Sequence, residues 1–154
     1  MNNIIITVAP TGPWGRGQNN PVEPVDLIQT ASECYSAGAS VIHMHARDLQ
    51  GKLTVDMGYF RETLAGIRAG SELLVEASTG GLSKLTPEER GLPATLSGVS
   101  MGSLNLGSLN FGDEVYQNTP PSVDTWIKQM EPCGVKPSLE IFDTGHLAFA
   151  KALI

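Results

Sequence analysis

Two histidines separated by one residue, His43 and His45, stand in the run Val41-Ile42-His43-Met44-His45-Ala46-Arg47-Asp48. Val41, Ile42 and Met44 favour an extended chain, in which residues i and i+2 point to the same face. The two imidazoles then project together, with Ile42, Met44 and Ala46 on the other side. Such a pair supplies two nitrogens to one zinc ion when a third ligand comes from elsewhere. A bare H-x-H is short, and it equally fits one hydrogen-bonded core histidine beside one exposed one. Its surroundings decide between these.

Four other stretches carry groups that could do chemistry. Ser78-Thr79-Gly80-Gly81 offers hydroxyls and backbone N–H groups unhindered by side chains, which suits a carboxylate or phosphate. An ordinary turn needing positive φ has the same composition. Gly102-Ser103-Leu104-Asn105-Leu106-Gly107 is echoed by Gly107-Ser108-Leu109-Asn110-Phe111-Gly112, which is either a second set of donors on one rim or a chance repeat in a turn-rich loop. Glu140 alternates with Leu139 and Ile141 and so faces away from them. Inside a closed barrel an unpaired carboxylate is costly, so Glu140 would there partner a metal, a proton or a substrate cation. On an edge strand it would be a surface residue. Gly98-Val99-Ser100-Met101-Gly102 matches a G-x-S-x-G nucleophile elbow, with Asp143 and His146 following in triad order. The elbow needs a helix after it, and the Gly- and Asn-rich residues that follow form helices poorly. Asp143 and His146 are also too close in sequence for the usual acid and base loops, so a serine hydrolase built on Ser100 is disfavoured.

These groups need a scaffold to hold them. Residues 4–9 are a continuous β-branched run that predicts a strand buried on both faces, as in a parallel sheet. Pro24 is placed to be N1 of a helix with Ile28, Ala31 and Tyr35 on one face and Gly38 just past its end. The histidine strand follows, then a helix capped by Asp56 that carries Phe60, Leu64 and Ile67. Residues 73–77 read as a third strand. Thr86-Pro87-Glu88-Glu89 is a capping box that starts a short helix. A fourth strand falls within 98–104. Ser122 is placed to cap a helix of Val123, Ile127 and Met130, which Gly134 ends. Residues 139–142 form a fifth strand, and 147–154 begin another helical pattern.

Strand starts recur every ~25 to 40 residues, the length of a βα unit. The alternation predicts an α/β fold with a parallel sheet, doubly wound or closing into a barrel. His43 and His45, Ser78, Ser103 with Asn105, and Glu140 fall at or near the carboxyl ends of strands two to five. Those ends form the ligand-binding face of such sheets. A closed eight-stranded barrel takes about 250 residues, so residues 1–154 read as the first five units of one larger domain.

Composition excludes several classes of function. With 41% hydrophobic and 17% charged residues, the 154-residue chain is neither disordered nor membrane-like. A formal net charge of -6 and a pI near 4.9 argue against a nucleic-acid or anionic-membrane partner. An anionic ligand would need local donors. No apolar run reaches the length of a membrane span, and Met1-Asn2-Asn3 lacks the basic residues of a signal peptide. Cys34 and Cys133 form no C-x-x-C pair, so a cytoplasmic protein with reduced thiols is expected.

The motifs also occur in a familiar order. Thr7-Val8-Ala9-Pro10-Thr11-Gly12, Gly38-Ala39-Ser40 leading into the histidine run, Ser78-Thr79-Gly80-Gly81, the doubled Gly-Ser-Leu-Asn stretch, and Lys136-Pro137-Ser138-Leu139-Glu140-Ile141-Phe142-Asp143 span almost the whole chain. Together they resemble the β-keto acid cleavage enzymes, a family that includes the 3-keto-5-aminohexanoate cleavage enzyme and was long grouped as a domain of unknown function. The resemblance implies a zinc-dependent TIM (β/α)8 barrel that converts a β-keto acid and acetyl-CoA into acetoacetate and a new acyl-CoA.

By that resemblance His43 and His45 would ligate zinc. Ser78, with Thr79, Gly80 and Gly81, and Ser103 would hold the substrate carboxylate, with Asn105 beside them and Glu140 in the catalytic pocket. Zinc would polarise the 3-oxo group and stabilise the enolate; attack on the thioester and a retro-Claisen step would release acetoacetate. The family's third metal ligand, a glutamate, and its catalytic aspartate and arginine belong to later barrel strands, so residues 1–154 alone are expected to be inactive. Where the aminohexanoate enzyme has a glutamate for the substrate amino group, Trp14 stands here. That favours a quaternary ammonium, held by cation–π contact, or an apolar tail over a primary amine. A homo-oligomer is expected of the full-length enzyme. The alternative from a different class is a non-catalytic half-barrel that binds a metal or a carboxylate.

Overall fold

A computed structural model describes residues 4–12 and 20–154; Trp14 lies outside the described residues. Along the chain the elements are β1 (Thr7–Val8), α1 (Pro24–Ser36), β2 (Val41–Met44), α2 (Gly58–Gly70), β3 (Leu74–Ala77), α3 (Pro87–Gly91), β4 (Met101–Asn105), β5 (Leu109–Phe111), β6 (Glu114–Tyr116), α4 (Pro120–Met130), β7 (Lys136–Glu140) and α5 (Thr144–Leu153). Strands β1, β2, β3, β4 and β7 form one parallel sheet in that order, and β5 and β6 form a separate antiparallel hairpin. The α/β class and the five parallel strands match the expectation from periodicity.

The two faces of the sheet have opposite character. Ile42, Met44, Val75, Ala77 and Leu104 point to one side and are all at most 2% exposed. They pack with Phe60, Leu64 and Ile67 of α2 and with Val123, Trp126 and Met130 of α4. Burying each large member of this set contributes about 1.5–3 kcal/mol. Gly102 allows the close approach, because a Cβ there would meet the Met130 and Ala94 side chains. The other side carries His43 opposite Glu76, Ser103 opposite Ser138, and Asn105 opposite Glu140. One face is core; the other turns polar toward the carboxyl ends of the strands.

Several boundaries differ from the sequence reading, each for a physical reason. The β-branched run at 4–9 is not buried on both faces: only Thr7–Val8 is a strand, and Ile4 and Ile5 are 83% and 75% exposed. Among the described residues β1 is an edge that pairs with β2 alone, with no strand on its far side. In α1 the buried face is Leu27 and Ala31 with Cys34 against the core, whereas Tyr35 is exposed. That rotates the helix about one residue from the expected Ile28 face. Asp56 does receive the Gly58 N–H, at 2.9 Å, although the helix proper is flanked by Met57. The α4 cap is Thr119 rather than Ser122, because Pro120 and Pro121 already take helical positions and Thr119 accepts the Ser122 N–H. Gly134 closes the turn after it at φ 67°.

Strand β7 runs from Lys136, three residues earlier than expected, and Ile141 and Phe142 lie beyond it and are exposed. Pairing with β4 through five residues sets those limits. Helix α5 starts three residues earlier, at Thr144, because Asp143 caps it by accepting the His146 N–H at 2.9 Å. The capping box at Thr86 forms in full, with Glu89 Oε2 accepting the Thr86 N–H and Thr86 Oγ1 accepting the Glu89 N–H.

Candidate functional site

The polar face meets the carboxyl ends of the strands in a cavity of about 320 Å³, lined by His43, His45, Ser78, Asn105, Tyr116 and Glu140 with an apolar wall of Leu82, Leu109, Phe111 and Phe142. Its floor is set by register. His43 and Glu76 are partners across β2 and β3, and His43 Nδ1 lies 2.6 Å from Glu76 Oε2. Burial pushes the Glu76 carboxyl up, but hydrogen bonds from His43 and Ser138 and the charge of His43 outweigh it and hold Glu76 below its ordinary value. Glu76 is therefore an ionised carboxylate fixing one imidazole nitrogen, which leaves Nε2 of His43 for another partner.

His45 lies two residues on, its ring 5.2 Å from that of His43 in an edge-on arrangement. Burial, then the charges of His43 and Arg47, drive its pKa down to about 3, against a smaller opposing effect of the Gly80 backbone. Its Nδ1 is buried with no hydrogen-bond partner. The ring is thus neutral with an unpartnered polar nitrogen, which is the state a metal ligand requires. Among the described residues no group of three or more His, Cys, Asp or Glu side chains could hold a metal ion. The two imidazoles fit two positions of a coordination shell and no more.

Glu140 lines the cavity from β7. Burial raises its pKa, the nearby His43 charge opposes that rise, and the Glu76 charge adds to it. The carboxyl is poised to hold a proton more readily than a surface glutamate, as expected for a group facing a partly enclosed polar site.

The 78–81 loop is built differently from the expectation. Three of its backbone N–H groups are occupied: Ser78 N–H by Met44 O, Thr79 N–H by Ser103 Oγ, and Gly80 N–H by Ser78 Oγ. A carboxylate arriving here would be met by side-chain hydroxyls. Ser103 is 2% exposed and braces Thr79, whose Oγ1 donates to the Ser103 carbonyl at 2.7 Å. Thr79 and Ser103 are not among the cavity-lining residues, whereas Ser78, Gly80, Gly81 and Asn105 are. The second half of the repeat provides no matching rim of amides: it enters the β5–β6 hairpin, Asn110 is exposed, and Ser108 Oγ accepts the Asn118 N–H. The hairpin instead adds Leu109, Phe111 and Tyr116 to the cavity wall.

Glu76 and Tyr116 are the two residues that sequence reasoning missed. Glu76 sits in Leu74-Val75-Glu76-Ala77, where a lone charge in an apolar strand, in register with His43, was the available signal. Tyr116 had none, because its place depends on a hairpin. The serine-elbow reading is not supported by the fold. Ser100 precedes β4 at its amino end, where its oxygen receives an Arg68 N–H at 3.5 Å, and its carbonyl accepts Lys136 N–H at the start of β7. Asp143 and His146 follow β7, at the opposite end of the parallel pair. Arg47, which closes the histidine run, is 5% exposed and donates to the carbonyls of Gly12 and Gly51. It ties the end of β1 to the site rather than entering the cavity.

Comparison with known proteins agrees with these motifs. A family model for the beta-keto acid cleavage enzyme matches residues 3–154. The chain is 36% identical to the 3-keto-5-aminohexanoate cleavage enzyme of Fusobacterium nucleatum, over 97% of this chain and 57% of that protein. It is 32% identical to the 3-oxoadipate:acetyl-CoA acetyltransferase of Cupriavidus necator, over 97% of this chain and 53% of the relative. It is also 32% identical to the 3-dehydrocarnitine:acetyl-CoA trimethylamine transferase of Rhizobium meliloti, over 97% and 59% respectively. The chain spans little more than half the length of these relatives.

Proposed function

The chain belongs to the beta-keto acid cleavage enzymes, and from that premise we propose that the full-length protein cleaves a β-keto acid with acetyl-CoA, giving acetoacetate and a new acyl-CoA. The observation that carries this reading is the cavity in which His43, His45, Ser78, Asn105 and Glu140 meet at the carboxyl ends of β2, β3, β4 and β7. Residues 1–154 then form the first five βα units of a single TIM barrel. The open edges β1 and β7, and exposed apolar residues such as Ile5 and Leu74, support further strands closing the sheet.

In this reading His43 and His45 hold a zinc ion, with the Glu76 carboxylate orienting His43. When bound, zinc supplies Lewis-acid polarisation of the 3-oxo group and offsets the charge of the enolate. Ser78 faces the substrate carboxylate as a hydroxyl donor, with Asn105 beside it. Glu140 lines the same cavity from β7, where a carboxyl with a raised pKa can hold or pass a proton at the reacting keto acid. The apolar wall of Leu82, Leu109, Phe111 and Phe142 keeps water from the carbanion. General base and third ligand lie outside the described residues in this proposal.

Metal analysis of the full-length protein, with acetoacetate formation assayed on a panel of β-keto acids and acetyl-CoA, tests the proposal. Stoichiometric zinc and acetoacetate release that His43→Ala and His45→Ala both abolish are expected. Acetoacetate release that survives both substitutions refutes the assignment.

A further inference from the structure

We propose that the Tyr116 hydroxyl is a substrate-binding group of this site, donating its O–H beside that of Ser78 to the carboxylate at the 78–81 loop. The inference rests on the reading that this loop faces the substrate carboxylate. It begins from a count of donors. The backbone N–H groups of Ser78, Thr79 and Gly80 already have acceptors, so the loop cannot act as a backbone anion nest.

Two hydroxyls line the cavity beside the loop, those of Ser78 and Tyr116. Ser78 Oγ accepts from Gly80 N–H at 3.1 Å. The Tyr116 oxygen lies beside it, since a Cβ at Gly80 would meet both the phenol oxygen and Ser78 Oγ. Ser78 Oγ, already an acceptor, keeps its own O–H to give, and the phenol, a donor as well as an acceptor, presents its O–H to the same cavity. The N–H that Ser78 Oγ accepts also polarises the Ser78 O–H, which strengthens the bond it makes to an anion.

The placement of Tyr116 is fixed from beneath. Arg90 lies 5.2 Å from the Tyr116 ring centroid and 4.5 Å from that of the buried Trp126. Arg90 also donates to Thr79 O, Gln117 O and Asn118 Oδ1 at 2.7 to 2.9 Å, so one guanidinium ties the loop to the hairpin. From the loop side, a side chain at position 80 would collide with the Tyr116 hydroxyl. Burial raises the phenol pKa and so keeps the proton in place at neutral pH, with Arg90 opposing that rise. A net charge of -6 supplies no general attraction for an anion, which makes such local donors necessary.

The test is calorimetric titration of the full-length zinc-loaded enzyme with acetoacetate and with methyl acetoacetate, which lacks the carboxylate. Tyr116→Phe keeps the ring on Arg90 and removes only the O–H; Ser78→Ala serves as reference. Each substitution is expected to weaken acetoacetate about 5- to 10-fold, the effect of one hydrogen bond, and to leave the ester unchanged. Gly80→Ala, which displaces the hydroxyl without removing it, is expected to reproduce the Tyr116→Phe loss. If Ser78→Ala weakens acetoacetate while Tyr116→Phe and Gly80→Ala do not, the role of Tyr116 is overturned and the carboxylate reading stands. If acid and ester weaken alike, or neither changes, both fall.

Discussion

His43 Nδ1 and Glu76 Oε2 lie 2.6 Å apart on the register pair that joins β2 to β3. A parallel ladder places them so, and the bond selects the imidazole nitrogen that stays available. Carboxylates in this position orient a histidine toward a metal and raise its basicity. Glu76→Gln keeps the size but removes the charge, and should lower zinc affinity of the full-length protein about 10- to 100-fold. Competition against a chelator of known affinity measures this. Unaltered affinity would mean that Glu76 only fills space between two strands.

Tyr116 and Gly80 compete for one volume. A Cβ at Gly80 would overlap the phenol oxygen, and Arg90 with the hairpin prevents the ring from retreating freely. Gly80→Ala should therefore destabilise the protein by about 1–3 kcal/mol, the usual cost of overpacking. In a Tyr116→Phe background the same change should cost markedly less, since the oxygen is gone. Urea unfolding of the two single variants and the double variant gives the coupling. Strict additivity would place the collision elsewhere.

Periodicity was enough to find the sheet, because apolar alternation in Ile42, Met44, Val75 and Leu104 is local and each of these side chains is fully buried. It also brought His43, His45, Ser78, Asn105 and Glu140 to one end of the strands, since that end follows from parallel topology alone. What it could not yield depends on contacts distant in sequence. Gly80 and Tyr116 meet through a hairpin that the Gly-Ser-Leu-Asn repeat did not announce, and Thr79 N–H is taken up by Ser103 on the next strand. The exposed Ile4 and Ile5 mark the reverse error. Their composition specifies a buried strand, but burial needs a neighbour on the far side as well.

Helix α3 has only five residues, yet its last turn holds Arg90 under the loop. Helices this short depend on their caps. Thr86→Ala removes the acceptor for Glu89 N–H and should cost about 1 kcal/mol, read as a lower urea midpoint with unchanged slope. Thr86→Ser should restore the parent value, because the hydroxyl is what the cap uses. Failure of serine to rescue would assign the loss to the threonine methyl.

Asp143 caps α5 through a 2.9 Å bond from His146 N–H. That bond foremost, with the His146 charge and Gly145 N–H, holds the carboxyl below its ordinary pKa against an opposing desolvation. A folded-state pKa lower than the unfolded one gives a contribution that is complete above the unfolded value and is lost as pH falls through the folded value. Asp143→Asn keeps an acceptor but does not titrate. The difference in melting temperature between the parent full-length protein and this variant should therefore be constant above about pH 5 and shrink below about pH 4, where a free aspartate begins to bind its proton. Thermal melts monitored by circular dichroism across that range test it. A difference that stays constant down to about pH 2.5 would show that the cap acts through geometry without its charge.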